Sequence, residues 1–185
     1  YLPLNTATTA AKVGSDVYTG SIATTTDPLT STGTLTLTGT MQDELSVETT
    51  LDYMYGIDGV LRIFQPGEYI VSMAADVEQT VTDRIVIDAP TSTEANPVWL
   101  TIDNVKIVHG GACALDIKSG SAVNLTLAGQ NNTRKSGGDY AGLGCAEGAA
   151  LVIGGEGSLA AMGGGDGGAG IGGRAYENGG NITIS

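Results

Sequence analysis

A β-solenoid is the fold that this 185-residue sequence predicts, that is, an all-β protein whose short strands stack in successive coils. Three observations lead to this prediction. Apolar and polar residues alternate in many short runs, a pattern that is typical of strands. Helix is nearly excluded beyond residue 136, because 18 of the 29 glycines lie between Gly137 and Gly180 and each interior glycine costs a helix about 1 kcal/mol. Short motifs also recur at a spacing of 28 residues.

The predicted strands begin at residue 34. Residues 34–38 alternate Thr and Leu, and a period-two pattern continues through residues 45–55. Residues 61–63 and 69–73 are two strands joined by a turn that contains Pro and Gly. Shorter apolar strands follow within residues 85–127, separated by Asn, Asp, Gly or Ser. Strands this short cannot bury their own apolar side, but they can do so when coils are stacked.

The repeat defines the predicted core. Residues 141–144 (Ala-Gly-Leu-Gly) recur as Ala-Gly-Ile-Gly at residues 169–172, and the same offset of 28 takes Leu143 back to Leu115. From residue 113 onward the chain therefore contains three units of about 28 residues. Equivalent positions of stacked coils align, so their apolar residues form ladders through the interior. The predicted ladders are Leu115, Leu143 and Ile171, and Leu125, Ile153 and Ile184.

Two regions are predicted from these patterns. Residues 1–32 are an extended, Thr-rich leader that could add a strand to a neighbouring subunit, and residues 33–185 are the β-helix. The last coil stops at residues 181–185 without a capping unit, and the ends of a solenoid expose unpaired backbone groups. We therefore expect head-to-tail association of copies of the chain, with a piece cut from a longer repeat protein as the alternative.

Composition excludes several classes of function. Twenty acidic residues against eight basic ones give a formal net charge of −12, which opposes binding to nucleic acid or to an anionic membrane. No run approaches the roughly 18–20 apolar residues of a membrane span, so no membrane insertion is predicted. One His and two Cys cannot form a Cys/His zinc site without additional carboxylate ligands, and no cofactor is predicted.

Five segments rich in Gly and small residues recur in the second half of the chain, at residues 119–129, 141–144, 148–153, 157–161 and 168–173. They resemble modules of bacterial cell-surface proteins that are described as carbohydrate-binding-domain or adhesin-like, and the resemblance covers about residues 61–185. The resemblance implies a right-handed parallel β-helix that is exported to the extracellular cell surface. It transfers no functional residues.

The cysteines and the single histidine are predicted to be structural. In the repeat, Cys145 aligns with Ile117, whereas Cys113 lies four residues earlier in its own coil. That offset adds roughly 13 Å along a strand, beyond the roughly 7 Å between Cα atoms that a disulfide allows. Two buried free thiols are therefore predicted, with a disulfide as the alternative. His109 lies in a Val-His-Gly-Gly turn without a nucleophile motif, and an exposed turn residue is expected.

Calcium binding is considered for two acidic segments. Asp43, Glu44 and Asp52 belong to a stretch without Lys or Arg, but the alternating Asp ligands and the glycine of a calcium loop are absent. The Gly-rich segment 162–168 likewise lacks the residue order of a calcium-binding nonapeptide repeat. A solvated acidic edge is therefore the expectation, and calcium bound by these three acidic residues is the alternative.

Exposed aromatic rings serve as stacking platforms in sugar-binding proteins, and three aromatic residues are candidates for this role. Tyr140 and Tyr176 lie in predicted turns of neighbouring repeats, and Trp99 lies near a predicted turn. Tyr53 and Tyr55 share one face of a strand and are assigned to core packing, with sugar contact as the alternative.

Polysaccharide cleavage is found among parallel β-helices and needs carboxylates grouped with Lys or Arg. Arg134 and Lys135 are the only adjacent basic pair, in a predicted turn with Asp139 nearby. A single cluster of this kind is more often a surface turn, so no enzyme is predicted.

We therefore expect a non-catalytic extracellular surface or structural protein that works through adhesion or head-to-tail self-assembly, as a subunit of a filament or surface layer. A glycan-binding module is the first alternative, and a polysaccharide lyase or hydrolase is the second. The expected partner is a second copy of the chain or a glycan on a host or cell surface.

Overall fold

The fold is known from a computed structural model of the chain. Over the described residues it is an all-β parallel β-solenoid of about four turns, without a helix. This confirms the predicted fold class. None of these residues belongs to a helix with the length and apolar character needed to cross a membrane. The structure describes residues 17–21, 35–40, 52–55, 58–73, 77–135 and 137–185.

The strands of the described residues form three sheets, and each complete coil contributes one strand to each sheet. The sheets are formed by the following strands, given in chain order: β1 (Val17–Ser21), β2 (Leu35–Thr40), β3 (Tyr53–Tyr55), β4 (Val60–Ile63), β5 (Gly67–Met73), β6 (Arg84–Ile87), β7 (Val98–Asp103), β8 (Lys106–His109), β9 (Leu115–Ile117), β10 (Ala122–Ala128), β11 (Gln130–Lys135), β12 (Leu143–Cys145), β13 (Ala150–Gly155), β14 (Ser158–Met162), β15 (Ile171–Gly172) and β16 (Asn181–Ile184). The seven-stranded sheet has the order β1-β2-β5-β7-β10-β13-β16, the six-stranded sheet β15-β12-β9-β6-β4-β3, and the three-stranded sheet β14-β11-β8.

Neighbouring coils pair in the register that the sequence repeat predicts. In the six-stranded sheet Leu143 pairs with Leu115 on one side and with Ile171 on the other. In the seven-stranded sheet Ile153 lies between Leu125 and Ile184. Both predicted ladders are therefore rows of neighbouring residues in the structure.

The interior is a narrow stack of aliphatic side chains. The six-stranded sheet contributes Leu61 and Ile85, and the seven-stranded sheet contributes Leu100 and Leu125, all of which are buried. Side chains of this size fill the thin space between the sheets, which agrees with an aromatic content of only 5%. Burial decreases in the last coil, where Ile184 is 68% exposed.

The strands that precede the solenoid join it with antiparallel pairing. Strand β2 pairs with β5, β1 pairs with β2, and β3 pairs with β4, all in antiparallel orientation. The backbone groups at the edge of the first coil thereby find partners within the same chain. Val17–Ser21, within the predicted leader, pairs with Leu35–Thr40 of its own chain. Addition of a leader strand to a neighbouring subunit stays a prediction. The rest of residues 1–32 lies outside the described residues.

Glycine at position 142 is required by the close approach of neighbouring coils. A Cβ atom at Gly142 would lie 2.5 Å from the carbonyl oxygen of Thr133 and 2.6 Å from that of Met162. Both atoms belong to the backbone and cannot move aside without breaking strand pairing. The recurring Ala-Gly-Leu-Gly motif therefore reflects packing between coils as well as turn formation.

One buried polar side chain links three coils, and sequence reasoning missed it. Asn131 is buried, and its Oδ1 accepts a hydrogen bond of 2.9 Å from the N–H of Val105. Its Nδ2 donates to the carbonyl oxygens of Ala128 and Ser158, at 2.9 and 3.3 Å. The side chain thus satisfies backbone groups at the corner where the chain leaves the seven-stranded sheet.

Replacing an inner ladder residue will destabilise the solenoid much more than replacing the outermost one. Leu125→Ala removes a buried side chain that packs between coils, and the free energy of unfolding should fall by about 2–5 kcal/mol. Ile184→Ala, in the same ladder but mostly exposed, should cost less than about 1 kcal/mol. Urea titration followed by circular dichroism measures both, and equal losses would contradict the described register.

Candidate functional site

Three large apolar side chains are exposed together on the outer face of the seven-stranded sheet. Trp99 is 49% exposed, Ile70 44% and Val152 41%. Trp99 lies close to the turn before β7, as expected, and is the second residue of that strand, where it faces outward between the buried Val98 and Leu100. An indole held by a paired strand has little conformational freedom, which favours a role as a preformed contact surface.

Polar side chains lie beside these apolar ones in the same rows. Asn124 is the register partner of both Trp99 and Val152, and Thr101 lies between Ile70 and Thr126. Adjacent strands are about 4.8 Å apart, so the row from Trp99 to Val152 spans roughly 10 Å. Sequence reasoning missed the neighbours of Trp99. We call this surface the Trp99 face and define it as Ile70, Trp99, Thr101, Asn124, Thr126 and Val152.

The ring of Tyr140 is already in contact with a cation of the same chain. The guanidinium carbon of Arg174 lies 4.2 Å from the centre of the Tyr140 ring, and Lys135 Nζ lies 6.0 Å from it. Arg174 also pairs with Asp139 at 2.8 Å, and this hydrogen bond holds the pKa of Asp139 below its usual value. Tyr140 therefore joins the loop before β12 to the loop after β15.

The other three tyrosines considered for sugar contact lie in a loop or in the core. Tyr176 is fully exposed in the loop before β16, two residues from Arg174. The structure therefore brings the loops of Tyr140 and Tyr176 together but leaves Trp99 on the face of a sheet. Tyr55 is buried in the core and Tyr53 packs against it, as the core-packing prediction requires.

His109 holds a turn by hydrogen bonding, so the expectation of an exposed turn residue was wrong. It is the last residue of β8 and is half-buried. Its Nδ1 accepts hydrogen bonds from the backbone N–H groups of Gly111 and Ala112, at 3.1 and 3.0 Å. Burial is the main cause that lowers the pKa of His109, and the positive charges of Arg84 and Lys135 lower it further. A cleft of mixed polarity, lined in part by His109 and Asp58, opens beside this turn.

The basic pair Arg134 and Lys135 lies in strand β11, and the prediction of a turn was wrong. The alternation of the strand turns Arg134 outward, whereas Lys135 is buried. Lys135 Nζ donates to the carbonyl oxygens of Gly110, at 2.7 Å, and Gly137. These bonds tie two loops of neighbouring coils together and satisfy the buried ammonium group.

A second charged group lies on the six-stranded sheet. Asp116 Oδ2 is 2.7 Å from Lys118 Nζ and 3.6 Å from Arg84 Nη1. The group contains one carboxylate, whereas hydrolysis of a glycosidic bond by general acid and base uses two at a defined separation. Neither Asp116 nor Lys118 lines the cleft beside His109.

The calcium candidates are covered only in part by the structure. Asp43 and Glu44 lie outside the described residues. Asp52 is described, and its backbone oxygen accepts a hydrogen bond of 2.9 Å from the N–H of Phe64. Within the described ranges, no group of three or more His, Cys, Asp or Glu side chains could hold a metal ion. Calcium binding by the three acidic residues stays an untested alternative.

Both cysteines are free and buried, as the alignment of the repeat predicts. Cys145 pairs with Ile117, in the register inferred from the sequence. Burial, together with the nearby charge of Asp116, raises the pKa of the Cys113 thiol to about 11. Burial also raises the pKa of Cys145. Both groups are therefore protonated near neutral pH and are poor nucleophiles.

The two thiols should react with 5,5′-dithiobis(2-nitrobenzoate) only after unfolding. The folded protein at pH 7.5 is expected to show no rapid reaction, because both sulfur atoms are buried. The same protein in denaturant without reductant should release two equivalents of the chromophore per chain. Fewer than two equivalents without reductant, restored to two by prior reduction, would show that the cysteines are bridged.

Comparisons with protein-family models, with curated proteins and with solved structures find no match to this chain. The likeness to bacterial cell-surface modules therefore stays a prediction from the sequence. The β-solenoid fold stands on the strand pairing of the structure itself.

Proposed function

We propose that this protein is a non-catalytic extracellular module that works by adhesion, and that the Trp99 face is its binding surface. The observation that carries the proposal is the half-exposed indole of Trp99 within a paired strand. Leaving a large aromatic side chain in water forgoes the burial energy that a partner would supply. Ile70 and Val152 extend the apolar surface on the same sheet.

A neutral glycan is the ligand that best suits this surface. The apolar side of a sugar ring stacks on an indole, and its hydroxyl groups can bond to the amide of Asn124 and the hydroxyls of Thr101 and Thr126. The described outward positions of the sheet carry two carboxylates, Glu68 and Asp103, and no Lys or Arg. Together with the net charge of −12, this disfavours anionic glycans.

Trp99→Ala should abolish most of the binding to a neutral polysaccharide. Loss of a central aromatic contact of this kind typically costs about 2 kcal/mol, or roughly a 30-fold weaker affinity. A glycan array identifies the ligand, and calorimetry or affinity electrophoresis then compares the variant with the wild type.

The matched control is Tyr176→Ala, which removes an exposed aromatic ring from a loop outside the Trp99 face. This variant should bind as the wild type does. The proposal fails if no neutral glycan binds the wild-type protein, or if Trp99→Ala binds as well as Tyr176→Ala.

Head-to-tail assembly is a second candidate function, favoured by one end of the solenoid. Strands β14, β15 and β16 are the outermost described strands of their three sheets at that end. Met162 and Ile184 expose apolar surface there, at 51% and 68%. The edges of these described strands, together with the exposed apolar residues, can accept strands from a second copy of the chain.

The 185-residue chain should therefore show a mass that rises with concentration in sedimentation velocity experiments between about 1 and 200 μM. Ile184→Asp should weaken the association at least about tenfold, because it places a charge at the apolar edge. Val152→Asp, on the Trp99 face, should leave it unchanged. A monomer at every concentration would exclude assembly through this end.

A further inference from the structure

The turn after strand β8 depends on a titratable acceptor. His109 is the only histidine of the chain, and its Nδ1 accepts the N–H groups of Gly111 and Ala112. A ring nitrogen can accept a hydrogen bond only while it carries no proton, so the neutral imidazole must hold its hydrogen on Nε2. Protonation would turn Nδ1 into a hydrogen-bond donor, which would then face the N–H donors of Gly111 and Ala112 and could bond to neither.

Charged groups from two neighbouring coils face this imidazole. Arg84 of β6 and Lys135 of β11 disfavour a positive charge on His109, while Asp83, just before β6, favours it. Lys135 also donates to the carbonyl oxygen of Gly110 at 2.7 Å and so holds the same turn from the side of β11. A protonated His109 would therefore lose two hydrogen bonds and gain repulsion from two cations, against one favourable carboxylate.

The position of the turn determines what its opening would change. Gly110 and Gly111 line the cleft beside Asp58, so movement of the turn reshapes that cleft. The turn also leads directly to Cys113, which is buried and whose sulfur lies close to Gly144 of strand β12. Opening at residues 109–112 would therefore widen the cleft and bring solvent to Cys113.

We propose that residues 109–112 form an acid-released latch, which is closed while His109 is neutral and opens when Nδ1 takes up a proton. The device is independent of the Trp99 face, because the two lie on different sheets of the solenoid. It makes one corner of the solenoid responsive to mildly acidic surroundings.

The direction of the pH dependence follows from linkage. The pKa of His109 is lower in the closed turn than in the open turn, where it approaches the usual value of about 6.5. The closed turn is therefore fully stable above that value and loses stability as the pH falls through the native pKa. Between pH 7.5 and pH 5 the opening equilibrium can increase by up to about 30-fold.

Nuclear magnetic resonance of the full chain tests the latch directly, because a single imidazole gives an unambiguous signal. Ring ¹⁵N shifts should show the Nε2–H tautomer at pH 7.5 and a titration midpoint below 6.5. Protection of the Gly111 and Ala112 amides against hydrogen exchange should fall as the pH is lowered below about 6.5, by up to about 30-fold at pH 5. A midpoint at or above 6.5, or unchanged protection through the titration, would overturn the proposal.

His109→Asn is the matched variant, because Asn Oδ1 is attached to Cγ as Nδ1 is and accepts hydrogen bonds at every pH. It should retain protection at Gly111 and Ala112 at pH 7.5 and lose less than about threefold at pH 5. Labelling by 4,4′-dithiodipyridine, located by peptide mapping, should accelerate at Cys113 in the wild type relative to the variant at pH 5. Equal acceleration in both proteins would reject the latch, and the wild-type titration decides the matter alone if the variant does not fold.

Discussion

Hydrogen bonds between neighbouring coils, made in register by parallel strands, are the interaction on which the whole structure depends. One coil consists of three short strands and has no interior of its own, so its aliphatic residues are buried only when the next coil pairs with it. When Leu115 pairs with Leu143, the remaining inward residues of the paired strands are also aligned with their counterparts, as Ile117 is with Cys145. A slip of one residue would turn the inward row outward, so burial and register enforce each other.

Strand pairing leaves corners where backbone groups lack strand partners, and buried side chains satisfy them there. Ser121 Oγ accepts the N–H of Ala89 at 3.0 Å, and Ser92 Oγ accepts the first N–H of β10 at 2.8 Å. Asn131 does the same at the next corner. His109 also accepts backbone N–H groups at a corner, but its acceptor is a ring nitrogen that can take up a proton. The hydrogen bonds at this corner therefore depend on pH, whereas those at the Ser and Asn corners do not.

Buried and outward residues alternate along each strand, and this alternation explains why a binding surface can lie on the face of a sheet. Inward positions maintain the stack, and outward positions can vary without disturbing it. Trp99 occupies such an outward position, and strand pairing fixes its backbone. Tyr140 differs because the ring contacts Arg174 and links two loops, which leaves less of its surface for a ligand. Exposed aromatic residues of similar appearance in the sequence therefore have different roles in the fold.

Local pattern and the repeat of about 28 residues by themselves determined the all-β class, most of the strands of the six- and seven-stranded sheets, the ladder through Leu115 and Leu143, and the free state of the cysteines. These properties depend on which side of a strand a residue faces and on coils of equal length. The row from Trp99 through Asn124 to Val152 emerged only in the tertiary structure, because its two steps are 25 and 28 residues long. The contact of Arg174 with Tyr140 likewise emerged only there. A sequence pattern shows which way a side chain points, but loops of unequal length decide which residue of another coil lies beside it.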